Sequence, residues 1–332
     1  MKRWRRFIPV LLLLAVAVLS GAVWMAVNYQ GLDQISVSAD KQVNVGIGYR
    51  NITYQGKNYH YNNRITVILY AGLDSDTPMV QNTKYTMAPQ ADSISLIVLD
   101  ELHKKMTIIA LSRDTMTQIR RYSLNGKKSG LYVDHLGYAY TYGDGGKASC
   151  DSLCEAISLL LYNIPVSNYV VSNRASMNLI SELIGPVEVT VPNDDLAEVD
   201  ERYQKGAQVT IDSSNLEQFV RYRDTEVYFS NVGRMQRQQA YITGAMNRVR
   251  KLLADEPEQF WKKLQDAEKF VQTNITRNRY LELTRIMKNT AFSSRDYYIP
   301  EGQQVAGKYH DRFYPDEELL LKKVIELFYI AQ

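Results

Sequence analysis

The sequence predicts an α/β domain in which a mixed β-sheet is covered by helices on its faces, preceded by one N-terminal transmembrane helix. Three observations carry this reading. β-type apolar runs and helix-period stripes alternate from residue 64 onward without a repeat. No Pro-, Gly- or Ser-rich linker divides that region. Near the N-terminus, Phe7 to Val27 is a 21-residue stretch without a charge.

Taken in order, residues 1–6 are basic, with Lys2, Arg3, Arg5 and Arg6. As a helix the 7–27 run is ~32 Å long at ~1.5 Å per residue, enough to cross a bilayer core. A cleaved signal peptide has an apolar region of about 7–15 residues ending in a small-x-small site. This run is longer and ends near Trp24 and Met25, so it reads as a signal anchor. The cationic flank places the N-terminus in the cytoplasm and the rest outside, in a single-pass protein of the cell membrane. Residues 28–63 are polar, rich in Tyr and Asn, and read as a stalk; residues 64–332 form the domain.

Within it, Ile65 to Ala71 is a strand, and SISLIVL (93–99) and MTIIALS (106–112) form a hairpin around the charged turn 100–105. Gly143, Gly145 and Gly146 punctuate a loop before a helix over 149–162. A strand over 169–172, a helix over 174–184 stopped by Gly185-Pro186, and the alternating strand 187–191 follow. A helical block runs from 213 to about 253. Amphipathic helices are expected over 256–271, 277–289 and 315–328, with a strand at 297–300 before the last.

Composition excludes several function classes. Hydrophobic residues make up 45% and charged residues 23%, as in a folded globular protein. The count of 39 Lys and Arg against 36 Asp and Glu falls to 35 against 36 without the four N-terminal cations. A near-neutral body argues against nucleic acid as a partner. Cys150 and Cys154 lie on the apolar stripe of one helix with Leu153, Ile157 and Leu161, and their parallel Cβ vectors favour buried free thiols over a disulfide. HExxH, CxxC, GxSxG and Walker A patterns do not occur, and the four His are scattered. Tyr142 to Lys147 resembles a phosphate loop only loosely and reads as a turn.

The hairpin carries a sharper signal. Asp92 precedes its first strand and Asp114 follows its second; a turn centred on His103 sets the two opposite each other. Facing carboxylates repel, so the pair needs a metal ion, an arginine, or one carboxylate with a raised pKa. The plain alternative is two strand-end acids pointing into water.

Arginines favour the first reading. Arg113 adjoins Asp114, and Arg221, Arg223, Arg234, Arg237, Arg248, Arg250 and Lys251 fall in a segment whose only acids are Asp224 and Glu226. Arg234, Arg237, Gln238 and Tyr241 share one helical face, opposite a stripe of Met235, Ile242, Met246, Val249 and Leu253. Guanidinium forks near a helix N-terminus suit phosphate oxygens. A solvated helix face would mix Glu with Lys; this one carries Arg and Gln.

Five ordered motifs resemble the LytR-CpsA-Psr family: Gln90-Ala-Asp92-Ser-Ile-Ser; Leu111-Ser-Arg113-Asp114-Thr115; Gly137-Tyr-Ala-Tyr-Thr-Tyr-Gly143; Tyr169-Val-Val-Ser with Gly185-Pro-Val-Glu-Val-Thr-Val191; and Arg221-Tyr-Arg223 with Gly233-Arg234-Met-Gln-Arg237-Gln238-Gln239. The resemblance covers residues 64 to 254, the anchor, and the closing helix after Pro315. It implies a membrane-anchored phosphotransferase of a Gram-positive cell that moves a glycopolymer from a polyprenyl diphosphate lipid onto peptidoglycan through a phosphodiester, using Mg²⁺. By the same resemblance Asp92 and Asp114 are the acids around the metal and the acceptor hydroxyl. Arg113, Arg221, Arg223, Arg234 and Arg237, with Gln238, correspond to the diphosphate clamp.

The chain departs from the family where Gln90 stands for a frequent Arg and Asn231 for a frequent acid. Two other functions therefore stand beside the transferase: a polyprenyl-diphosphate pyrophosphatase, in which water replaces the sugar hydroxyl, and a non-catalytic lipid-carrier binding or regulatory protein. A transcriptional regulator is disfavoured, because the domain lies outside the membrane and lacks a DNA-binding module.

Overall fold

The structure, a computed structural model, describes residues 50–79, 85, 87–222, 230–264, 269–305 and 312–332. The expected anchor at 7–27 lies outside them. No helix among the described residues is long and apolar enough to cross a membrane.

In chain order the strands are β1 (Asn51–Tyr54), β2 (Lys57–Tyr61), β3 (Ile65–Leu73), β4 (Ala91–Asp100), β5 (Lys105–Leu111), β6 (Met116–Tyr122), β7 (Lys128–His135), β8 (Asn168–Asn173), β9 (Val187–Thr190), β10 (Gln208–Ile211), β11 (Val271–Thr273), β12 (Tyr297–Tyr298), β13 (Gly302–Val305), β14 (Arg312–Pro315) and β15 (Tyr329–Ala331). The helices are α1 (Tyr138–Thr141), α2 (Lys147–Leu160), α3 (Ser176–Ile184), α4 (Leu216–Arg221), α5 (Ser230–Asp255), α6 (Pro257–Leu264), α7 (Arg277–Lys288) and α8 (Glu317–Phe328).

Six strands form the central sheet in the order β11-β8-β3-β4-β5-β12. β3 runs parallel to β8 and antiparallel to β4, and β4 is antiparallel to β5, so β3, β5 and β8 end at one edge, where β4 begins. The strands are apolar on both sides because both sides are covered. Ile68, Tyr70, Ile97 and Ile108 pack with α3, α4, α5 and α7 on one face. Val67, Leu69, Leu96 and Ile109 pack with α1, α2 and α8 on the other. The α-β-α layering matches the fold expectation, and truncating a fully buried residue such as Leu69 or Ile97 to Ala costs about 2–5 kcal/mol.

Several expectations are corrected. The β4–β5 ladder runs from Ile94↔Leu111 to Asp100↔Lys105, so its turn is centred between Leu102 and His103, one half-step from His103 itself. The turn takes that length because the Asp100 carboxylate accepts from the Leu102 and His103 N–H groups while Lys104 adopts φ 52°. Residues 51–61, read as part of a stalk, form a hairpin whose second strand pairs with β15. The helix expected over 256–271 is α6, and Val271 already belongs to edge strand β11, antiparallel to β8. The hairpin β6–β7 and strand β10 have no counterpart in the sequence reading. Cys150 and Cys154 are buried and free as expected, and burial pushes the Cys154 thiol up to about 12, so it stays a thiol.

Candidate functional site

The edge where β3, β5 and β8 end is where ligands collect in open α/β sheets. Its first element is a bulge. Gly72 pairs with Ser93 and Leu73 with Ala91, so Asp92 is the extra residue of β4, turned out of the ladder with its side chain 31% exposed.

From the neighbouring strand comes the turn 112–115. Ser112 Oγ accepts from the Asp114 N–H, and the Thr115 N–H donates to the Ser112 carbonyl. Two outside segments pin it: the Gly137 N–H donates to the Arg113 carbonyl at 2.9 Å and the Phe313 N–H to the Asp114 carbonyl at 2.8 Å. Gly137 is required by close approach, since a Cβ there would lie 2.9 Å from the Ala91 carbonyl and 3.2 Å from Arg113 Cβ.

With the shifted register, Asp92 faces Arg113 and not Asp114. Arg113 Nη1 donates to Asp92 Oδ1 at 2.5 Å, and its Nε stands 3.7 Å from Asp114 Oδ1. Burial works against the Arg113 charge, but Asp92 and then Asp114 outweigh it and hold its pKa above the ordinary value. The facing carboxylates anticipated from the sequence are thus joined through a guanidinium, one of the two cations their charge demanded.

The other predicted residues divide. Arg221, at the C-terminal end of α4, is exposed, pairs with Glu217 at 3.3 Å, and contributes to lowering the pKa of Asp76, which follows β3. Arg223 lies outside the described residues, as does the side chain of Arg234 in the first turns of α5. Arg237 and Gln238 turn inward, which corrects the expectation that they share an open phosphate-binding face. Arg237 is fully buried; its Nε donates to the Phe219 carbonyl at 2.9 Å, Nη2 to the Tyr222 carbonyl at 2.6 Å, and Nη1 to Asn193 Oδ1 at 3.1 Å and Asp195 Oδ2 at 3.0 Å. Gln238 Nε2 donates to the Val220 carbonyl at 2.8 Å. Both side chains fasten the end of α4 to α5. The Gly loop 143–146 is a turn closed on itself, with Asp144 Oδ1 accepting from the Gly146 and Ser149 N–H groups.

Sequence reasoning missed two groups at this edge. Asp74 and Asp76 follow β3 and pair with Arg174 after β8; Arg174 Nε reaches Asp76 Oδ1 at 2.7 Å and Nη1 reaches Asp74 Oδ1 at 3.4 Å. The adjacent strands β3 and β8 were legible, but not that both ended in charge at the Asp92 edge. The second group is a set of rings around Asp134. Arg121 Nη2 donates to Asp134 Oδ2 at 2.7 Å, and the Tyr142 hydroxyl donates to the same oxygen at 3.0 Å. The Arg121 guanidinium lies 4.8 Å from the Tyr132 ring centre and 5.1 Å from that of Tyr142. Burial works against the Asp134 charge, and the His135 N–H, Arg121 and Tyr142 overcome it, so its pKa sits below the usual carboxylate range. No group of three or more His, Cys, Asp or Glu able to hold a metal occurs among the described residues.

Comparison with known proteins agrees with this architecture. The polyisoprenyl-teichoic acid–peptidoglycan teichoic acid transferase TagU of Bacillus cereus strain ATCC 14579 is 26% identical over 221 residues, 65% of this chain and 66% of its own length. The chain therefore spans slightly less than two thirds of that relative; for the TagU of strain AH820 the identity is 23% and the share 69%. Among solved structures, Bacillus subtilis TagV superposes with a TM-score of 0.56 at 22% identity, covering 79% of this chain and 96% of TagV. Protein gbs0355 of Streptococcus agalactiae does so at 0.59 and 17%, covering 79% and 87%. At these identities the structures establish the mixed α/β fold. A family model described as the LytR_cpsA_psr family matches residues 27–309, most of the chain, and the chain belongs to that family.

Proposed function

We propose that this protein transfers a glycopolymer from a polyprenyl diphosphate lipid onto peptidoglycan through a phosphodiester, on the outer face of a membrane in which residues 7–27 anchor it. The observation that carries the reading is the joining of Asp92 and Asp114 through Arg113 at the sheet edge where β3 and β8 also end, with Arg221 of α4, more than 100 residues away, acting on Asp76 just beyond β3. The name of the TagU relatives describes transfer of teichoic acid from a polyisoprenyl carrier to peptidoglycan.

Phosphoryl transfer leaves the protein little covalent work: it aligns donor and hydroxyl and neutralises charge on the phosphate oxygens. Arg113, Arg221, Arg223 and Arg234 bind the diphosphate, with Arg237 and Gln238 setting the position of α4 behind them. The oxygen of an acceptor sugar hydroxyl bonds to the glycan-bearing phosphorus, the bond from that phosphorus to the bridging oxygen breaks, and polyprenyl phosphate leaves. The hydroxyl proton passes to Asp92 or Asp114.

The donor set suits Mg²⁺, which takes one or two carboxylates together with phosphate oxygens and water; Asp92 and Asp114 are partly exposed and already drawn to a cation. When bound, Mg²⁺ supplies further neutralisation of the diphosphate oxygens. Reconstitution of the full chain with a defined lipid diphosphate oligosaccharide and a peptidoglycan acceptor tests the proposal. A new polymer-to-peptidoglycan bond is expected. Free phosphorylated glycan would identify a pyrophosphatase, and binding without turnover a carrier-binding protein; either outcome overturns the transferase.

A further inference from the structure

Reaction at phosphorus with attacking and leaving oxygens in line requires the acceptor and the lipid phosphate to approach from opposite sides. The central sheet already separates two sides. Arg221 stands at the end of α4, whose Phe219 and Val220 belong to the core on one face. The rings around Asp134 pack with the core on the other, where Ile119, Leu136 and Tyr140 are buried and Tyr138 and Tyr142 are half-buried against them. Arg113 lies between the two, at the end of β5.

We infer that these rings form the acceptor subsite, a shelf for a neutral N-acetylhexosamine oligosaccharide, resting on the transferase reading above. Continuity with the reacting groups comes through Tyr138. Burial raises its pKa, Asp134 and Asp114 add to the rise, and Arg113 opposes it, so the phenol lies within the field of the Arg113–Asp114 pair. The preceding residue is Gly137, bonded to the Arg113 carbonyl. His135 meets Tyr138 edge-on with ring centres 5.5 Å apart, and Tyr142 lies 6.1 Å beyond.

The chemistry of the shelf selects its occupant. Arg121 and Asp134 neutralise each other under the rings, so the surface offers little net charge to a phosphate. Strand β7 then presents Tyr132, on the same face as Asp134, to solvent at 46% exposure. A pyranose ring has an apolar C–H face edged by hydroxyls, and tyrosine, apolar in body and polar at its tip, matches it on both counts. Stacking of Arg121 beneath the Tyr132 ring holds that ring in place before a ligand arrives.

The test uses the full chain in detergent, with a tetrasaccharide of four N-acetylglucosamine units, which is neutral, as the binding probe and peptidoglycan as the acceptor in transfer. Calorimetry measures the tetrasaccharide affinity directly, and transfer kinetics give separate KM values for acceptor and lipid donor. Tyr132→Ala is expected to weaken tetrasaccharide binding about tenfold or more, equivalent to about 1.4 kcal/mol, and to raise acceptor KM alike. Donor KM should stay unchanged, and Tyr132→Phe, which keeps the ring and loses only the hydroxyl, should fall between wild type and Tyr132→Ala. Because Tyr132 is exposed, folding is preserved, as circular dichroism will show. Unchanged tetrasaccharide affinity in Tyr132→Ala, or a rise confined to donor KM as for a shelf that holds the lipid carrier, would overturn the inference. Tetrasaccharide binding lost in Tyr132→Ala in a protein that makes no phosphodiester would instead keep the shelf and reject the transferase.

Discussion

Arg237 separates a phosphate ligand from a buried strut, and the two roles predict opposite measurements. The guanidinium has five N–H donors and meets four acceptors: the Phe219 and Tyr222 carbonyls at the end of α4, and Asn193 and Asp195 in the loop after β9. Desolvation lowers its pKa and Asp195 opposes the fall, as for a charge held inside the protein by a partner. Arg237→Lys keeps the charge but loses the fork. A lysine ammonium that stays with Asp195 leaves both carbonyls unpaired, each at about 1–3 kcal/mol, so a loss of about 2–6 kcal/mol is expected. That is a large part of a typical stability of about 5–15 kcal/mol and moves a urea midpoint by on the order of 1 M. Gly233→Ala should act similarly, because a Cβ at Gly233 would fall 1.5 Å from Asp195 Oδ2. Urea unfolding followed by circular dichroism reads both variants. An Arg237→Lys protein with an unchanged midpoint and a raised donor KM would refute the strut and restore Arg237 to the diphosphate.

Arg221→Lys and Arg223→Lys, assayed by transfer in the folded chain, should each lower turnover about tenfold or more, about 1.4 kcal/mol, by removing bidentate geometry; unchanged rates in both would free the cluster from the diphosphate. Gly137→Ala, with a Cβ 2.8 Å from Gln90 Nε2 and 2.9 Å from the Ala91 carbonyl, should cost about 1–3 kcal/mol in unfolding experiments and reduce transfer by displacing Arg113. The Asp134 pKa is lower folded than unfolded, so its contribution is present above the ordinary value of about 3.9 and is lost as pH falls through the folded value. Asp134→Asn should therefore destabilise at pH 7, and the gap to wild type should close in acid; a gap independent of pH would contradict the assignment. A reporter active only outside the cell, fused to the C-terminus, should give signal, whereas a secreted chain starting near Asn28 would show cleavage.

Much of the fold was legible because periodicity is local. Strand β3, hairpin β4–β5, helices α2, α3, α7 and α8 and the short strand β12 all fall within a few residues of where the pattern put them. Segments whose pairing partner lies far away in sequence were not legible. Residues 51–61 alternate weakly because β1 and β2 are partly exposed, and they order by pairing with β15 at the other end of the chain. Val271 to Thr273 continues an amphipathic stretch, yet it serves as the edge strand beside β8. Hairpin β6–β7 hid for a different reason: β7 is almost wholly exposed and carries no apolar alternation, its partner being α2 through β6. At the site, residue types gave Asp92, Asp114 and the arginines. Periodicity could not tell the inward Arg237 from a solvent-facing one, because its acceptors are backbone carbonyls of another helix.

Register decides what the carboxylates of the site meet. Moving the turn of β4–β5 by half a step changes the partner of Asp92 from Asp114 to Arg113, turning a repulsive pair into an ion pair at 2.5 Å. The sheet enforces that choice. β4 is buried on both faces, so a one-residue slip would exchange Ile94, Leu96 and Val98 with Ser95, Ile97 and Leu99 between two differently shaped cores. The bulge at Asp92 then turns its carboxylate out of the ladder without disturbing the pairs on either side. Gly137 and Phe313 fix the facing turn from two other segments of the chain. The ion pair is therefore held by the packing of the whole sheet, which aims Arg113 between the α4 face and the Tyr138 face.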